Sequence, residues 1–370
     1  MTVVILVSIF CILLTYFESI KKLKHGMLIG FCGVTILYCI HYDFGTDYMT
    51  YYHEFLRVES FHYKFYEIFD LDNWRNGEFG WGLMQWLCAV ITGKNGFFLL
   101  VFVNSILENI IIYRFIRKYS SPLQWPFAVF VYLFTSNFYL LGFSMMRQWL
   151  AMCLIIYAFD YIVKKRVLIS LAIIFIASTI HHTASILFPI AFLSYLPLKY
   201  AKYYSITFLV VFMLLMFIGD FLNSILAIFM TQSDTIEHYI TNYNGFEANK
   251  GFGIGFIINL LPFVLSVLFL FKSRNAKNTN NKMLIILSCI GTMVIPFSQS
   301  LAMVNRMSLY FTLFSIATIP IIYSTIPNRL LRQVLTAIFI FMQIVSYRGF
   351  LIDPSYQFYY NEFQTIFSKL

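Results

Sequence analysis

Phe79-Gly-Trp-Gly-Leu-Met-Gln-Trp-Leu-Cys-Ala-Val-Ile-Thr92 is the stretch on which the reading of the fold turns. As a helix its 14 residues reach about 21 Å, against about 30 Å of bilayer hydrocarbon. If it crossed, Arg114, Arg117, Lys118 and every later basic cluster would face outward, against the cytoplasmic bias of Lys and Arg in membrane proteins. We therefore expect it to dip in without crossing, or to lie at the interface, as a short re-entrant or interfacial helix near 79–92. Backbone of that kind is tolerated where it lines a cavity, which makes this piece a wall of one.

Working outward from it, apolar runs separated by charged or Pro/Gly breaks continue to the end of the chain. With 60% hydrophobic and only 12% charged residues, an ordinary soluble domain is excluded. The runs are too long for membrane β-strands, so the fold class is an all-α polytopic integral membrane protein. Spans are expected near 2–17, 26–40, 96–116, 124–143, 146–163, 167–181, 183–197, 204–222, 254–272, 283–303, 307–323 and 331–350. They make about twelve transmembrane helices in a single transmembrane domain, residues 1–370. Because the first span lacks a basic N-terminal flank and is followed by Lys21, Lys22 and Lys24, it is expected to be retained with its N-terminus outside.

By this topology 17 Lys and Arg residues are cytoplasmic and 9 are not. The formal charge of +9 therefore orients the chain and favours anionic membrane lipid, with no nucleic-acid partner. Two external segments, 41–78 and 223–253, border the expected cavity. The first holds eight carboxylates against three cations. The second has the length of a lid, and the Tyr- and Phe-rich tail from Leu351 is expected at the external interface. The six cysteines sit in apolar runs and read as small hydrophobes. His41, His53 and His62 are irregularly spaced, so no metal is assigned; no P-loop or dinucleotide fingerprint is present in a supporting context, so no cofactor is expected.

Five polar signatures fall at the external mouth: Asp43 to Tyr51, Glu78-Phe-Gly80-Trp81, Arg147-Gln148, His181-His182-Thr183-Ala184 and Arg306 to Phe311. Arg147 and Arg306 have no adjacent acidic residue, which points to an anion, and a diphosphate suits bidentate guanidinium. The competing reading pairs them with Asp47, Glu78 or Glu108 inside the bundle. Asp47, Glu78 and His182 are candidates for a general base, with His181 expected to point elsewhere. Tyr48, Tyr51 and Tyr310 offer faces for sugar rings or interface anchoring, and Asn104, Ser105 and Glu108 read as a helix-packing contact.

The order Gly45-x-Asp47-Tyr48-x-x-Tyr51, Glu78-x-Gly80-Trp81, Arg147-Gln148-x-x-Ala151, His182-Thr183-Ala184 and Arg306-x-x-x-Tyr310-Phe311 resembles the EpsG-type branch of Wzy-like polysaccharide polymerases. Two departures are visible: Phe79 stands where proline is common, and segment 223–253 is short for a lid over donor and acceptor. The resemblance implies a membrane glycosyltransferase on the outer face of a bacterial plasma membrane. It would move a growing glycan from one undecaprenyl diphosphate carrier to a carrier-linked repeat unit in O-antigen, capsule or exopolysaccharide synthesis. The implied catalytic residues are Asp47, Glu78 and His182; Arg147, Gln148, Arg306, Tyr48, Tyr51 and Tyr310 would bind substrate. The undecaprenyl-diphosphate-linked glycan donor and acceptor are the expected partners, with membrane lipid and a chain-length regulator protein beside them. The rival readings are a lipid-linked oligosaccharide flippase and a glycan ligase.

Overall fold

The computed structural model describes residues 1–61, 63–70, 77–136, 138–230, 254–272, 279–298 and 302–368. It is helical nearly throughout, as the apolar runs require. Two compact units divide it: residues 1–196 with 319–370, and residues 197–318.

In the first unit, α1 (Thr2–Ser19) and α2 (Gly26–Ile40) form a hairpin. Glu18 fastens its turn by accepting the Met27 N–H at 2.8 Å and pairing with Arg117 on α5 (Gly96–Tyr119). β1 (His41–Tyr42) and α3 (Tyr48–Phe61) follow, and then α4 (Phe79–Thr92), the stretch quoted above. At Gly93 the chain doubles back, for a Cβ added at Gly96 would lie 2.4 Å from the Cys88 carbonyl oxygen, a contact that a straight helix cannot make. α4 thus packs on α5 as a helical hairpin, in the company of Phe55.

The span expected at 124–143 is broken. α6 (Trp125–Phe134) stops at Thr135, and α7 (Tyr139–Ser144) is a separate short helix that leads through Met145 into α8 (Met146–Ile162). α9 (Val167–Ile180) packs on α8 and is followed by a 3-10 helix, His182–Tyr195, which also packs on both. The tail, expected at the interface, folds back onto the first external segment. β2 (Gln364–Thr365) pairs antiparallel with β1, the Tyr359 carbonyl accepts the Gly45 N–H at 3.1 Å, and buried Tyr360 donates to the Leu140 carbonyl at 3.2 Å.

The second unit holds α10 (Ala201–Met230) packed against Ile254–Lys272 and Thr279–Met293, with Ala302–Thr312 against the last of these. Residues 223–230, expected as part of an external segment, continue α10; residues 231–253 of that segment lie outside the described residues.

Among the described residues, five helices are long and apolar enough to cross a membrane, and six if the bent pair Arg306–Thr312 and Ser315–Ser324 counts as one. Gly26–Ile40, Pro122–Phe134, Val167–Ile180 and His182–Tyr195 are apolar but shorter. The difference from twelve arises because expected spans such as 26–40, 167–181 and 183–197 are helices of only 14 or 15 residues, and because the run at 124–143 breaks after Phe134. The chain is a multi-pass membrane protein of all-α class.

Candidate active site

The site forms where the starts of α4, α8 and the 3-10 helix meet. Each start leaves N–H groups without intrahelical partners and carries a partial positive charge, so a carboxylate among them is favoured. Glu78 is that carboxylate. It precedes α4, is 2% exposed, and accepts from Arg147 on the first turn of α8 at 2.7 Å through Oε2. Its Oε1 meets the His181 Nδ1 at 2.7 Å, the His182 backbone N–H at 3.1 Å and the His182 Nδ1 at 3.2 Å.

Gly80 makes this convergence possible. A Cβ at Gly80 would lie 2.2 Å from the Thr179 Oγ1 and 2.9 Å from its Cβ, so only glycine lets α4 rest on the last turn of α9, two residues before His181. Gly80→Val is expected to force the helices apart at a cost of about 1–3 kcal/mol, the usual size for overpacking, and to lower the thermal unfolding temperature. Unchanged stability and unchanged activity would mean that α9 yields without disturbing Glu78.

The two histidines share a carboxylate because the backbone changes type between them. His181 is extended (φ −145°, ψ 111°) and ends α9, while His182 opens the 3-10 helix, so consecutive side chains reach the same oxygen. The expectation that His181 points elsewhere is thereby corrected. The break between the spans at 167–181 and 183–197 is the sequence signal for this, since a regular helix would turn the two rings about 100° apart.

Arg147 follows the competing reading, in which it pairs with a carboxylate inside the bundle. Its ion pair is Glu78, 69 positions away in sequence, and its remaining face stacks on Tyr51 at 5.1 Å from the ring centre. Tyr51 lies on the α3 face that also carries Asp47 and Glu54, and both carboxylates bear electrostatically on its hydroxyl. Asp47 is half-buried, its N–H donating to the Ser144 hydroxyl at 3.2 Å.

Tyr48 does not join this group. It is fully buried, its hydroxyl donates to the His41 carbonyl at 3.2 Å and its ring packs edge-on to Phe97, so it is a core residue with no face left for a sugar. Gln148 is buried at 1% exposure. In the second unit Arg306 is half-buried and Tyr310 is buried. Asn104 and Glu108, expected to make a packing contact, are buried, and neither Asn104 Nδ2, Asn104 Oδ1 nor Glu108 Oε1 has a hydrogen-bond partner among the described residues.

The electrostatics assign protons. Burial alone would raise the Glu78 pKa, but the hydrogen bonds from His181 and His182 and the charge of Arg147 outweigh it and hold the carboxyl well below its usual range. Burial lowers the His181 pKa despite the carboxylate, with the Arg147 charge acting in the same direction, so His181 is neutral at physiological pH. An ionised carboxylate only accepts, so the facing Nδ1 atoms carry hydrogen and each Nε2 of a neutral ring is an acceptor. The side chain of His182 is 40% exposed against 15% for His181, so His182 offers that nitrogen to the outside.

Glu78, His181 and His182 also bring three metal-type ligand atoms within 4.8 Å of one another, which irregular histidine spacing did not suggest. The Arg147 guanidinium on the same carboxylate repels a cation, so the group is better suited to handling protons and anions than to binding a metal.

The model of the EpsG family matches residues 25–364. No curated protein and no solved structure matches the chain.

Proposed function

The chain belongs to the EpsG family, and from that premise we propose that it polymerises carrier-linked oligosaccharide repeat units as a membrane glycosyltransferase. The family points to a polysaccharide polymerase-type function. The finer reading is that an undecaprenyl-diphosphate-linked glycan is the donor and a carrier-linked repeat unit the acceptor, at the outer face of a bacterial plasma membrane. In this reading the four shorter apolar helices cross, as do Met146–Ile162 and Thr279–Met293, giving with the six longer spans the twelve passes that put the basic clusters inside.

The observation that carries the proposal is the saturated carboxylate of Glu78, with an outward imidazole hung from it. Glu78 receives donors at both oxygens and is ionised, so it is a positioning residue and not the base. His182 is the base: its Nε2 takes the proton of the acceptor hydroxyl as that oxygen bonds to the anomeric carbon of the donor. The bond from that carbon to the diphosphate breaks, and undecaprenyl diphosphate leaves with the electron pair. Charge builds on the diphosphate, where fixed cations help most. Arg147 is proposed to act on it from beside Glu78, and Arg306 is kept as a second phosphate-binding residue on the strength of its motif. Tyr51, beneath the guanidinium, and Asp47 and Glu54 near it bound the acceptor side. The donor is already activated, so the proposed step needs no nucleotide.

The test is a reconstituted assay with a synthetic lipid-diphosphate repeat unit. Wild type is expected to build a ladder of products, and well-folded Arg147→Ala and Arg306→Ala proteins are expected to stall. Wild-type protein that binds the lipid without lengthening the glycan would overturn the polymerase reading in favour of a flippase.

A further inference from the structure

At the opposite end of α5 from the site lies a second constellation. Tyr113, Arg114, Arg117 and Lys118 on α5 face Tyr157, Asp160, Tyr161 and Lys164 on and just after α8, across a cavity of about 470 Å³. Charge within it is unbalanced. Asp160 is taken by Lys118 at 2.6 Å and by the Tyr119 hydroxyl at 2.6 Å, and Arg117 is taken by Glu18. Arg114 and Lys164 have no carboxylate within ion-pair distance among the described residues. The Tyr157 and Tyr161 hydroxyls, 3.0 Å apart, add hydrogen-bonding groups beside them.

Tyr113 also lines a second and larger cavity of about 850 Å³ between α2 and α5, walled by residues such as Phe31, Ile36, Phe102, Ile106 and Ile110. That groove runs from Leu28 to Ile40 along α2, about 18 Å of helix. Ile36, Phe102 and Ile110 are exposed along it, so it opens sideways toward the hydrocarbon of the bilayer. Tyr113 stands where the two cavities adjoin, with its ring 5.5 Å from Phe31 on the apolar side and under Arg117 at 5.7 Å on the charged side.

We propose that this paired cavity is a binding site for an anionic phospholipid, with its phosphate headgroup between Arg114 and Lys164 and an acyl chain in the α2–α5 groove. A free phosphate would use the charged half alone and leave the apolar groove without a role. A zwitterionic lipid would use the groove and leave the surplus cations uncompensated. Basic pockets between membrane helices select acidic headgroups for this reason, and each surface cation adds to the selection. The site is separate from Glu78 and stands or falls independently of the polymerase proposal.

Native mass spectrometry of the purified full-length protein tests it, with phosphatidylglycerol and phosphatidylcholine of identical acyl chains as probes. Phosphatidylglycerol is expected to be retained in preference, and Arg114→Gln with Lys164→Gln to lower its retention roughly thirtyfold. Cys32→Trp, which fills the groove from an exposed wall position, is expected to release the lipid while leaving binding of inorganic pyrophosphate unchanged. Equal retention of the two phospholipids by wild type overturns the proposal without reliance on any variant. Loss of nothing on filling the groove overturns it in favour of a free-anion site, and preferential retention of a polyprenyl phosphate hands the groove to the glycan carrier.

Discussion

Glu78→Gln is expected to unfold at markedly lower temperature than wild type, with a loss of about 3–5 kcal/mol, the size found when one partner of a buried ion pair is removed. The substitution keeps the shape and removes the charge. Arg147, 11% exposed, then has no counter-ion on Glu78, and an amide with two N–H donors must face His181, His182 and a backbone N–H that all require an acceptor. Because the loss belongs to the pair, Glu78→Gln combined with Arg147→Met should cost less than the two single changes added together. Thermal unfolding of the four proteins in one detergent measures this directly. A Glu78→Gln protein as stable as wild type would show that the carboxylate does not organise the meeting of α4, α8 and α9.

His182→Ala is expected to fold and to lose turnover by a factor of about 10²–10⁴, the usual contribution of a positioned general base. The side chain is 40% exposed and its removal leaves no buried charge behind, so stability and rate separate here as they do not at Glu78. The neighbouring His181 makes a different prediction. Its folded pKa is depressed below 6.5, so its contribution to stability is fully present above pH 6.5 and declines as pH falls from there through the lowered folded value. Thermal unfolding below pH 6.5 should therefore be easier for wild type than for His181→Asn, measured against each protein's stability at neutral pH. If well-folded His182→Ala turns over at the wild-type rate, the base is elsewhere, with Asp47 the next residue to test.

The membrane class of this chain was legible because it depends on the summed burial preference of long apolar runs, which needs no knowledge of contacts. The short helix at Phe79–Thr92 was legible in length and limits for the same reason. The site was legible as a set of positions and not as a set of bonds. That Glu78, Arg147 and His182 belong together could be read from their common side, but the pairing of Arg147 with Glu78 spans 69 residues and depends on how closely α4 approaches α9. The approach is fixed by Gly80 against Thr179, a fit that no local pattern encodes. Tyr48 shows the converse. Three residues from Tyr51 in the same motif, it faces His41 and Phe97 in the core, whereas Tyr51 carries the guanidinium, and only the packing of α3 separates their roles. Helix count was the least legible property, since the polar residues Thr135 and Ser136 that follow α6 are too few to interrupt an average taken over a whole span.

The antiparallel pairing of His41–Tyr42 with Gln364–Thr365, with the Tyr359 carbonyl on the Gly45 N–H, orders events during biosynthesis. Membrane helices are delivered to the bilayer as they leave the ribosome, so the segment that carries Asp47 into α3 reaches the surface more than three hundred residues before its strand partner is made. Until then β1 is an unpaired edge, and the loop between it and α3 lacks the Tyr359 carbonyl that accepts its Gly45 N–H. The nascent chain therefore acquires its last supports around Gly45, two residues before Asp47, only when the tail emerges, and a fusion partner attached to that tail acts on this segment rather than on a dispensable end.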